Sequence, residues 1–386
     1  MSGGCSGTDA EVPGAMTADS RRRPEELENL GSVAIVHDYL NQRGGAERVV
    51  LEMASMWPWA PIYTSLYRPD STFPEFRRLD IRTTILDAVP VDRGFRNLFP
   101  LYAPAFAALG TLDADVIVSS SSGWAHWIRS AARSLHVVYC YTPARWLYGG
   151  LCLGRSKRQR PLRPLLKSLR RADRTAARRA DLYLTSSEHI RRHIRNVYGL
   201  DAVMVPPPVD TARFTPRARG ERLLVVSRLL AYKRIDLVVD AATQAGLPLD
   251  VVGAGPELEN LRARAGPTVT FHGELPDDAV TELMETCRAF VLPGAEDFGI
   301  TPLEANAAGK PVVAFAGGGA LETLEDGYSA AFFSRPTSEA LLEAIPRCDA
   351  IETAPERLAL LAQRFSAPAF RHRLSAVLSD ARAARA

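Results

Sequence analysis

Short runs of β-branched and aromatic residues alternate with longer segments of helical periodicity along most of the chain. The first series begins with VAIVHDY at Val33 and continues with PIYTSLY, ADVIVSSSS, LHVVYCYT, DLYLTSS and AVMVPPPV. A second series begins with RLLVVSRL at Arg222 and continues with PLDVVGAG, TVTFHG, AFVLPG, PVVAFAG and AAFF. Strand–helix–strand order in each series predicts an α/β protein with two parallel-sheet, Rossmann-like domains.

The proline-rich segment PPPVDTARFTP, residues 206–216, separates the two series, because prolines end strands and stiffen connections. We therefore expect a first domain at 31–210 and a second at 211–364. The remaining segment, 365–386, has the pattern of one helix, for which packing back on the first domain is one option. Residues 1–30 are rich in Gly, Ser, Pro, Asp and Glu, which predicts a disordered tail.

Composition narrows the class of protein. The chain has 386 residues, 46% of them hydrophobic and 24% charged, which is typical of a globular protein too long for one ordinary core. No apolar run approaches the roughly 18 residues needed to span a bilayer. The five cysteines are scattered and form no CxxC pair, which favours reduced thiols in the cytoplasm.

A glycine pair marks the start of the first predicted helix. In HDYLNQRGGAERVV, Gly44 and Gly45 allow the backbone to approach a ligand closely, and a helix N-terminus beside them favours an anion. The spacing is not the GxGxxG of a dinucleotide site, so NAD is poorly supported. By itself such a pair is also typical of a simple turn.

Two basic residues follow a strand of the second series. In VVSRLLAYKRID, Arg228 comes at the end of the strand and Lys233 near the start of the next helix, where ligands of open α/β sheets collect. A guanidinium and an ammonium together suit a diphosphate, although two solvated basic side chains in a loop would give the same sequence pattern. In VVGAGPELENL, Gly253 has the corresponding place after the next strand, where a tight turn is the simpler interpretation.

The segment EDFGITPLEANAAGKP combines two carboxylates with a small-residue turn. Glu296 follows a strand, and Glu304 lies eight residues later, about two turns into a helix. The backbone amides of Phe298, Gly299 and Ile300 lie at the start of that helix, where they can hold a phosphate. The carboxylates can accept hydrogen bonds from sugar hydroxyls. Metal binding is not favoured, because no histidine or further acid lies near in sequence.

These motifs together resemble those of the family 4 glycosyltransferases, which are retaining enzymes with the two-domain GT-B fold. The resemblance rests on GGAER, SRLLAYKR, GAGPE, FHGEL and EDFGITPLEANAAGKPVV, which span nearly all of the chain after residue 31. SSSSGWAHWIR, YCYTPARWLY and GGGALET resemble the branch that contains bacterial mannosyltransferases using GDP-mannose. The resemblance implies two domains that face each other across a cleft.

The resemblance also implies a role for each candidate residue. Arg228 and Lys233 would bind the donor diphosphate, and Glu296 would act on the donor sugar as the third catalytic residue. Glu304 would hold the nucleotide ribose, and the loop 272–275 would lie against the base. The donor-binding set expected from the resemblance is Gly44, Gly45, Tyr141, Gly253, Gly273, Phe298, Gly299, Ile300 and Glu304.

One position departs from the family pattern. Relatives commonly carry His after the Cys of YCYTPARWLY, where it contacts the donor sugar, and this chain has Tyr141. A phenol can donate a hydrogen bond but cannot act as a near-neutral base. Arg145 follows in what we expect to be an acceptor-side loop, and His126 of GWAHW is either a packing residue or part of the acceptor cleft.

The segment 154–179 contains eleven Lys or Arg and one acid. Leu162, Leu165, Leu166 and Leu169 fall at helical spacing and predict one apolar face. The arginines either contact an anionic membrane or form an ordinary solvated face, and both interpretations stay open. Nucleic-acid binding is not favoured, because no aromatic residues interleave with the run.

Together these features predict a retaining hexosyltransferase that moves a hexosyl group, expected to be mannosyl, from a nucleotide sugar to a lipid-linked or saccharide acceptor. Such a reaction would serve cell-envelope glycan or glycolipid synthesis, at a cytoplasmic site or on the inner face of the plasma membrane. No cofactor is expected beyond the nucleotide-sugar donor, for which GDP-mannose is favoured, and no metal. The alternative is a catalytically inactive sugar-nucleotide-binding regulator or scaffold, because fold does not fix function.

Overall fold

The structure is a computed structural model that describes residues 30–89, 98–148 and 163–385. Within these ranges the first half of the chain, up to residue 210, forms a seven-stranded parallel sheet in the order β3-β2-β1-β5-β7-β8-β9. Two short strands, β4 and β6, pair separately. The strands are β1 (Val33–His37), β2 (Ile62–Thr64), β3 (Ile81–Thr83), β4 (Thr111–Leu112), β5 (Val116–Ser121), β6 (Arg129–Ser130), β7 (Leu135–Cys140), β8 (Leu182–Thr185) and β9 (Val203–Met204).

The second half, residues 211–364, forms a six-stranded parallel sheet in the order β12-β11-β10-β13-β14-β15. Its strands are β10 (Leu223–Val226), β11 (Leu249–Val252), β12 (Val269–Gly273), β13 (Ala289–Leu292), β14 (Val312–Phe315) and β15 (Ala330–Phe333). In both sheets the order reverses beside the first strand, β1 or β10. This reversal opens a crevice at the carboxyl ends of the strands, where α/β sheets bind ligands. The predicted α/β class with two parallel sheets is confirmed.

Helices connect the strands. The α-helices are α1 (Gly45–Met56), α2 (Phe99–Ala107), α3 (Arg145–Tyr148), α4 (Arg163–Ala177), α5 (Glu188–Tyr198), α6 (Ile235–Ala245), α7 (Leu258–Arg264), α8 (Asp277–Thr286), α9 (Ile300–Ala307), α10 (Ala320–Thr323), α11 (Ser338–Asp349), α12 (Pro355–Gln363) and α13 (Ala367–Ala383). Short 3₁₀ turns occupy Pro74–Arg78, Ile85–Ala88, Ala125–Trp127, Thr211–Arg213 and Ala231–Lys233. In the described ranges no helix combines the length and the apolar character that crossing a bilayer requires.

The central strands are buried on both faces, as a parallel sheet between two helical layers requires. The last helix, α13, joins the core of the first half, because Phe370, Leu374 and Leu378 pack with the residues of β1 and β5. The chain therefore returns to the first sheet after completing the second. The predicted tail lies outside the described residues except for Leu30, which is buried in the first core.

The predicted apolar face of the basic segment needs a correction. Leu166 is buried and Leu169 packs beside it against α3, but Leu165 is 53% exposed. Leu162 lies outside the described residues. In α4 the exposed Leu165 therefore does not belong to the buried stripe that the spacing predicted.

Candidate active site

Lys233 and Glu296 meet at the carboxyl edge of the second sheet. Strands β10 and β13 are neighbours there, and Lys233 ends the short turn Ala231–Lys233 that follows β10. The Lys233 ammonium forms an ion pair with the Glu296 carboxylate, and both side chains keep some exposure to solvent. Two residues that lie 63 positions apart are thus brought into direct contact. The structure places a mobile positive charge beside the first carboxylate of the motif.

Arg228 lies two residues beyond β10 on the same edge and is exposed. Within the described residues its guanidinium has no hydrogen-bond or ion-pair partner. A planar cation without a partner at a strand end remains available for an anionic ligand. Its predicted role on a diphosphate stays a prediction.

Two helices, one from each half, begin close to this pair. Helix α9 begins at Ile300 after Gly299, whose φ of +89° is a conformation that favours glycine. Helix α1 begins at Gly45, and a Cβ added there would lie 3.0 Å from the Ile300 Cδ1 atom. Each N-terminus carries amides with no partner in its own helix and a partial positive charge, so both helix starts favour an anion.

Phe298 has a different role from the one its place in the motif suggests. Its side chain is buried, and the ring packs edge-on against Phe365 at a centroid distance of 5.6 Å. Only its backbone can therefore contact a ligand, and the ring instead anchors the turn that carries Glu296.

Glu304 lies inside α9 and is almost fully buried. Its Oε1 atom is 3.5 Å from Nη2 of Arg213, which comes from the turn between the two halves. Burial raises the pKa of Glu304 above its ordinary value, although the positive charges of Arg213 and Arg48 oppose that shift. Arg48, from α1, also forms an ion pair of 2.9 Å with Asp277 at the start of α8. Sequence reasoning missed Arg48, Arg213 and Asp277, because nothing local signals that they meet.

The glycines after the strands are sites of close backbone approach. A Cβ on Gly253 would lie 1.9 Å from the Ser227 carbonyl oxygen, and the amide of Gly253 donates to the carbonyl of Gly273 at 2.7 Å. Behind this loop, Nε2 of His272 lies 2.8 Å from the Asp250 carboxylate. The loop 272–275 is therefore anchored from the sheet side. Contact of Gly253 or Gly273 with a donor stays a prediction.

Tyr141 belongs to a polar network under the start of α1. Its hydroxyl donates to the Ala46 carbonyl at 3.2 Å and shares a hydrogen bond of 2.9 Å with Ser120 Oγ. Ser120 Oγ also lies 2.9 Å from Nδ1 of the buried His37, whose Nε2 is 3.7 Å from the Glu47 carboxylate. Burial raises the pKa of the Tyr141 phenol. The phenol thus holds the glycine turn in place, and its predicted contact with a donor sugar stays a prediction.

The two acceptor-side candidates differ. Arg145 forms an ion pair with Asp297, and its guanidinium lies 5.6 Å from the ring centroid of Tyr232, so it reaches the second half. His126 is buried, and its ring nitrogens lie 3.3 Å from Ser121 Oγ and 3.0 Å from the Asp173 carboxylate. His126 is thus a packing residue in this structure, and its role on the acceptor side stays a prediction.

Asp173 and Asp38 are buried carboxylates that accept hydrogen bonds from the segment after β5. The Asp173 carboxylate also accepts hydrogen bonds of 2.9 Å from Trp127 Nε1 and from the Tyr148 hydroxyl. The Asp38 carboxylate accepts from the amides of Ser122, Trp124 and Ala125 at 2.5 to 2.9 Å. The loop after β5 is therefore held by hydrogen bonds to both carboxylates. Within the described ranges, no group of three or more His, Cys, Asp or Glu side chains is arranged to hold a metal ion.

Two family models match consecutive parts of the chain. The model described as Glycosyltransferase Family 4 matches residues 43–213, and the model described as Glycosyl transferases group 1 matches residues 211–359. The boundary between them falls in the proline-rich segment. Together they include every candidate residue named above.

Curated relatives match over part of their length. A GDP-mannose-dependent alpha-(1-6)-phosphatidylinositol monomannoside mannosyltransferase of Mycolicibacterium smegmatis is 35% identical, over 40% of this chain and 50% of the relative. A D-inositol 3-phosphate glycosyltransferase of Acidothermus cellulolyticus is 34% identical, over 41% of this chain and 43% of the relative. The matches thus span half or less of these relatives.

Solved structures match over nearly the whole chain. HepE of Anabaena, in complex with UDP and glucose, superposes with a TM-score of 0.66 at 20% identity, over 90% of this chain and 99% of HepE. Sucrose-phosphate synthase of Thermosynechococcus elongatus superposes with a TM-score of 0.70 at 18% identity, over 92% and 100%. At these identities the likeness establishes the fold.

Proposed function

Because the chain belongs to the family 4 glycosyltransferases with the GT-B fold, we propose that it is a retaining hexosyltransferase that transfers a mannosyl group from GDP-mannose. The acceptor is a lipid-linked or saccharide hydroxyl in cell-envelope glycan or glycolipid synthesis. The transfer takes place in the cytoplasm, with the inner face of the plasma membrane as the site for a lipid acceptor.

The observation that carries this proposal is the meeting of two helix N-termini beside the Lys233–Glu296 pair. Gly45 and Ile300 begin helices from opposite halves, and a Cβ added to Gly45 would lie 3.0 Å from the Ile300 Cδ1 atom. A diphosphate bound at both helix starts would accept hydrogen bonds from both sets of amides, with Lys233 supplying a full positive charge. Glu304, eight residues beyond Glu296, would then hold the ribose hydroxyls on one side, and Glu296 would face the sugar on the other.

The chemistry follows from this placement. The bond between the anomeric carbon and the phosphate oxygen breaks, and the acceptor oxygen bonds to the anomeric carbon on the same face. The departing phosphate oxygen takes the acceptor proton, which leaves no need for a protein base. Lys233, Arg228 and the helix amides stabilise the leaving diphosphate, and no resident metal is assigned. Glu296 stabilises positive charge that develops on the sugar, and such an interaction raises turnover because it strengthens in the transition state.

The choice of donor rests on the relatives. The Mycolicibacterium relative is named as GDP-mannose-dependent, and the motifs after β5 and β7 resemble the same branch. HepE was solved with UDP and glucose, so the fold accommodates other donors. A thermal-shift screen of nucleotide sugars addresses this choice. A donor at 100 times its Kd should raise the free energy of unfolding by about 2.7 kcal/mol.

The decisive experiment compares Glu296→Gln with Glu304→Gln. Glu296→Gln should lower kcat by orders of magnitude while the Kd for GDP, measured by calorimetry, stays close to the parent value. Glu304→Gln should mainly raise the donor KM, because ribose contacts are the same in the ground state and the transition state. NMR of the product should show retention of the donor's anomeric configuration.

Glu259→Gln serves as the matched control, because Glu259 is exposed and, among the residues that the structure describes, forms its ion pair with Arg262 of its own helix. It should leave both constants unchanged. The assignment of the two glutamates is wrong if Glu296→Gln keeps full turnover, or if Glu304→Gln alone abolishes the reaction at saturating donor. A parent protein that binds GDP-mannose but transfers to neither acceptor class nor water would be the inactive alternative.

A further inference from the structure

Asp297, the residue after the catalytic glutamate, makes two contacts with the first half. Its carboxylate forms the ion pair with Arg145 described above. Its backbone carbonyl accepts a hydrogen bond of 2.7 Å from the Ser187 hydroxyl, immediately before α5. A residue in the middle of the donor-side motif therefore touches both the predicted acceptor-side loop and the start of a first-half helix.

Glu322 makes a second connection between the halves. Its two carboxylate oxygens accept hydrogen bonds from the amides of Glu188 and His189, at 2.6 and 2.8 Å. These amides are the first two of α5, and such amides have no partner within their own helix. A carboxylate at a helix N-terminus also interacts favourably with the helix dipole. The second half thus caps a helix of the first.

Both connections are tied to the backbone of Glu296. Asp297 is its neighbour in sequence. Glu322 follows the glycine turn 317–319, in which the amide of Gly319 donates to the Glu296 carbonyl at 2.8 Å. A Cβ on Gly318 would lie only 2.1 Å from that same carbonyl oxygen, so the turn and the motif are in close backbone contact. Movement of α5 or of Arg145 is therefore transmitted to the strand end that carries Glu296.

We infer that Asp297 and Glu322 are positioning residues that lock the acceptor-side half onto the backbone of Glu296. This inference rests on the proposed transfer reaction and concerns the same site. Most of the predicted donor contacts lie in the second half, whereas the acceptor hydroxyl must approach from the first. A misplacement of about 1 Å between reacting groups can cost about 100-fold in rate. The lock therefore sets the distance between the acceptor oxygen and the anomeric carbon.

Glu322 is the more direct test of the lock. Its exposed carboxylate accepts two charge-assisted hydrogen bonds from backbone amides of α5, whereas the Arg145–Asp297 pair joins two partly exposed side chains that must both be held in place. Glu322→Gln keeps the size of the side chain, but it replaces one accepting oxygen with an amide group that cannot accept. It should lower kcat for transfer by about 10- to 100-fold, while the Kd for GDP changes less than about twofold. Asp297→Asn should lower kcat less, and Asp297→Glu, which retains the charge, should recover part of the loss.

The matched control is Glu325→Gln. Glu325 lies three residues from Glu322 and pairs with Arg364 at 3.7 Å, so its side chain makes no connection to the first half within the described residues. The variant should keep the parent kcat and Kd. Small-angle scattering supplies a readout independent of turnover. Glu322→Gln should increase the radius of gyration of the donor-free protein relative to both the parent and Glu325→Gln.

Each result supports or overturns the inference. A loss of kcat with unchanged GDP affinity and an increased radius of gyration supports it. Parent-like kcat and radius in Glu322→Gln overturn it, as does a parallel loss of GDP affinity and melting temperature, which would mean that Glu322 only maintains the fold. If no donor supports transfer by the parent, the proposed function fails, and scattering with GDP calorimetry still decides whether the lock exists.

Discussion

The glycine that begins α1 offers a substitution whose effects on folding and on binding should oppose each other. Gly45 is exposed and is the first residue of a twelve-residue helix. Alanine is favoured over glycine in a helix by up to about 1 kcal/mol. The added Cβ would meet only the terminal Cδ1 of Ile300, at 3.0 Å, and that flexible end can shift by a few tenths of an ångström. Gly45→Ala should therefore fold with a free energy of unfolding equal to that of the parent or up to about 1 kcal/mol higher.

The same substitution should weaken the binding of GDP. The new methyl group would stand at the start of α1, where a phosphate oxygen must come within about 2.9 Å of an amide nitrogen. Loss of one hydrogen bond to a charged group costs about 1.5 to 3 kcal/mol. Gly45→Ala should thus weaken GDP binding by roughly 10- to 150-fold. Isothermal titration calorimetry gives the affinity, and urea denaturation gives the stability.

A second variant separates two causes of the loss. Ile300→Val removes the Cδ1 atom that the new methyl would push. If displacement of Ile300 weakens binding, Gly45→Ala/Ile300→Val should recover the parent affinity. If the methyl blocks the phosphate itself, the double variant should bind as weakly as Gly45→Ala. Parent-like GDP affinity in Gly45→Ala, with Ile300→Val alone also normal, would refute a diphosphate site at the start of α1.

Three further predictions follow from buried and exposed charges. Burial raises the pKa of Glu304 despite the nearby Arg213, so the folded protein loses stability as the pH rises through that pKa and the carboxyl ionises. Glu304→Gln should therefore raise the free energy of unfolding of the donor-free protein at about pH 7, but not at about pH 4, in urea denaturation. Asp173→Asn should lower the free energy of unfolding by about 2 to 4 kcal/mol in the same assay, because the buried Asp173 carboxylate is the shared acceptor of three donors and the amide keeps only one accepting oxygen. Reversal of the exposed Arg171 and Arg178 to Glu should reduce sedimentation with anionic vesicles at low salt, and unchanged sedimentation would leave α4 an ordinary structural helix.

Local patterns were sufficient for the elements and for part of the site. Alternation of β-branched runs with helical periods predicted both parallel sheets, because strands buried between two helical layers are continuous apolar runs, whereas the covering helices have one apolar stripe. The place of Gly45 at a helix start and the eight-residue spacing from Glu296 to Glu304 are likewise properties of short segments. Such features depend on neighbours in the chain and can be recognised without the fold.

The contacts that make these residues a site depend on the tertiary structure. Lys233 meets Glu296 because β10 and β13 are neighbours in the sheet, although 63 positions separate the two residues. Glu322 reaches the first amides of α5 from the other half of the chain. His126 sits in a conspicuous aromatic motif, yet it is buried against Asp173. Strand order depends on how the whole chain packs. The local spacing of apolar residues therefore does not specify which distant side chains come into contact.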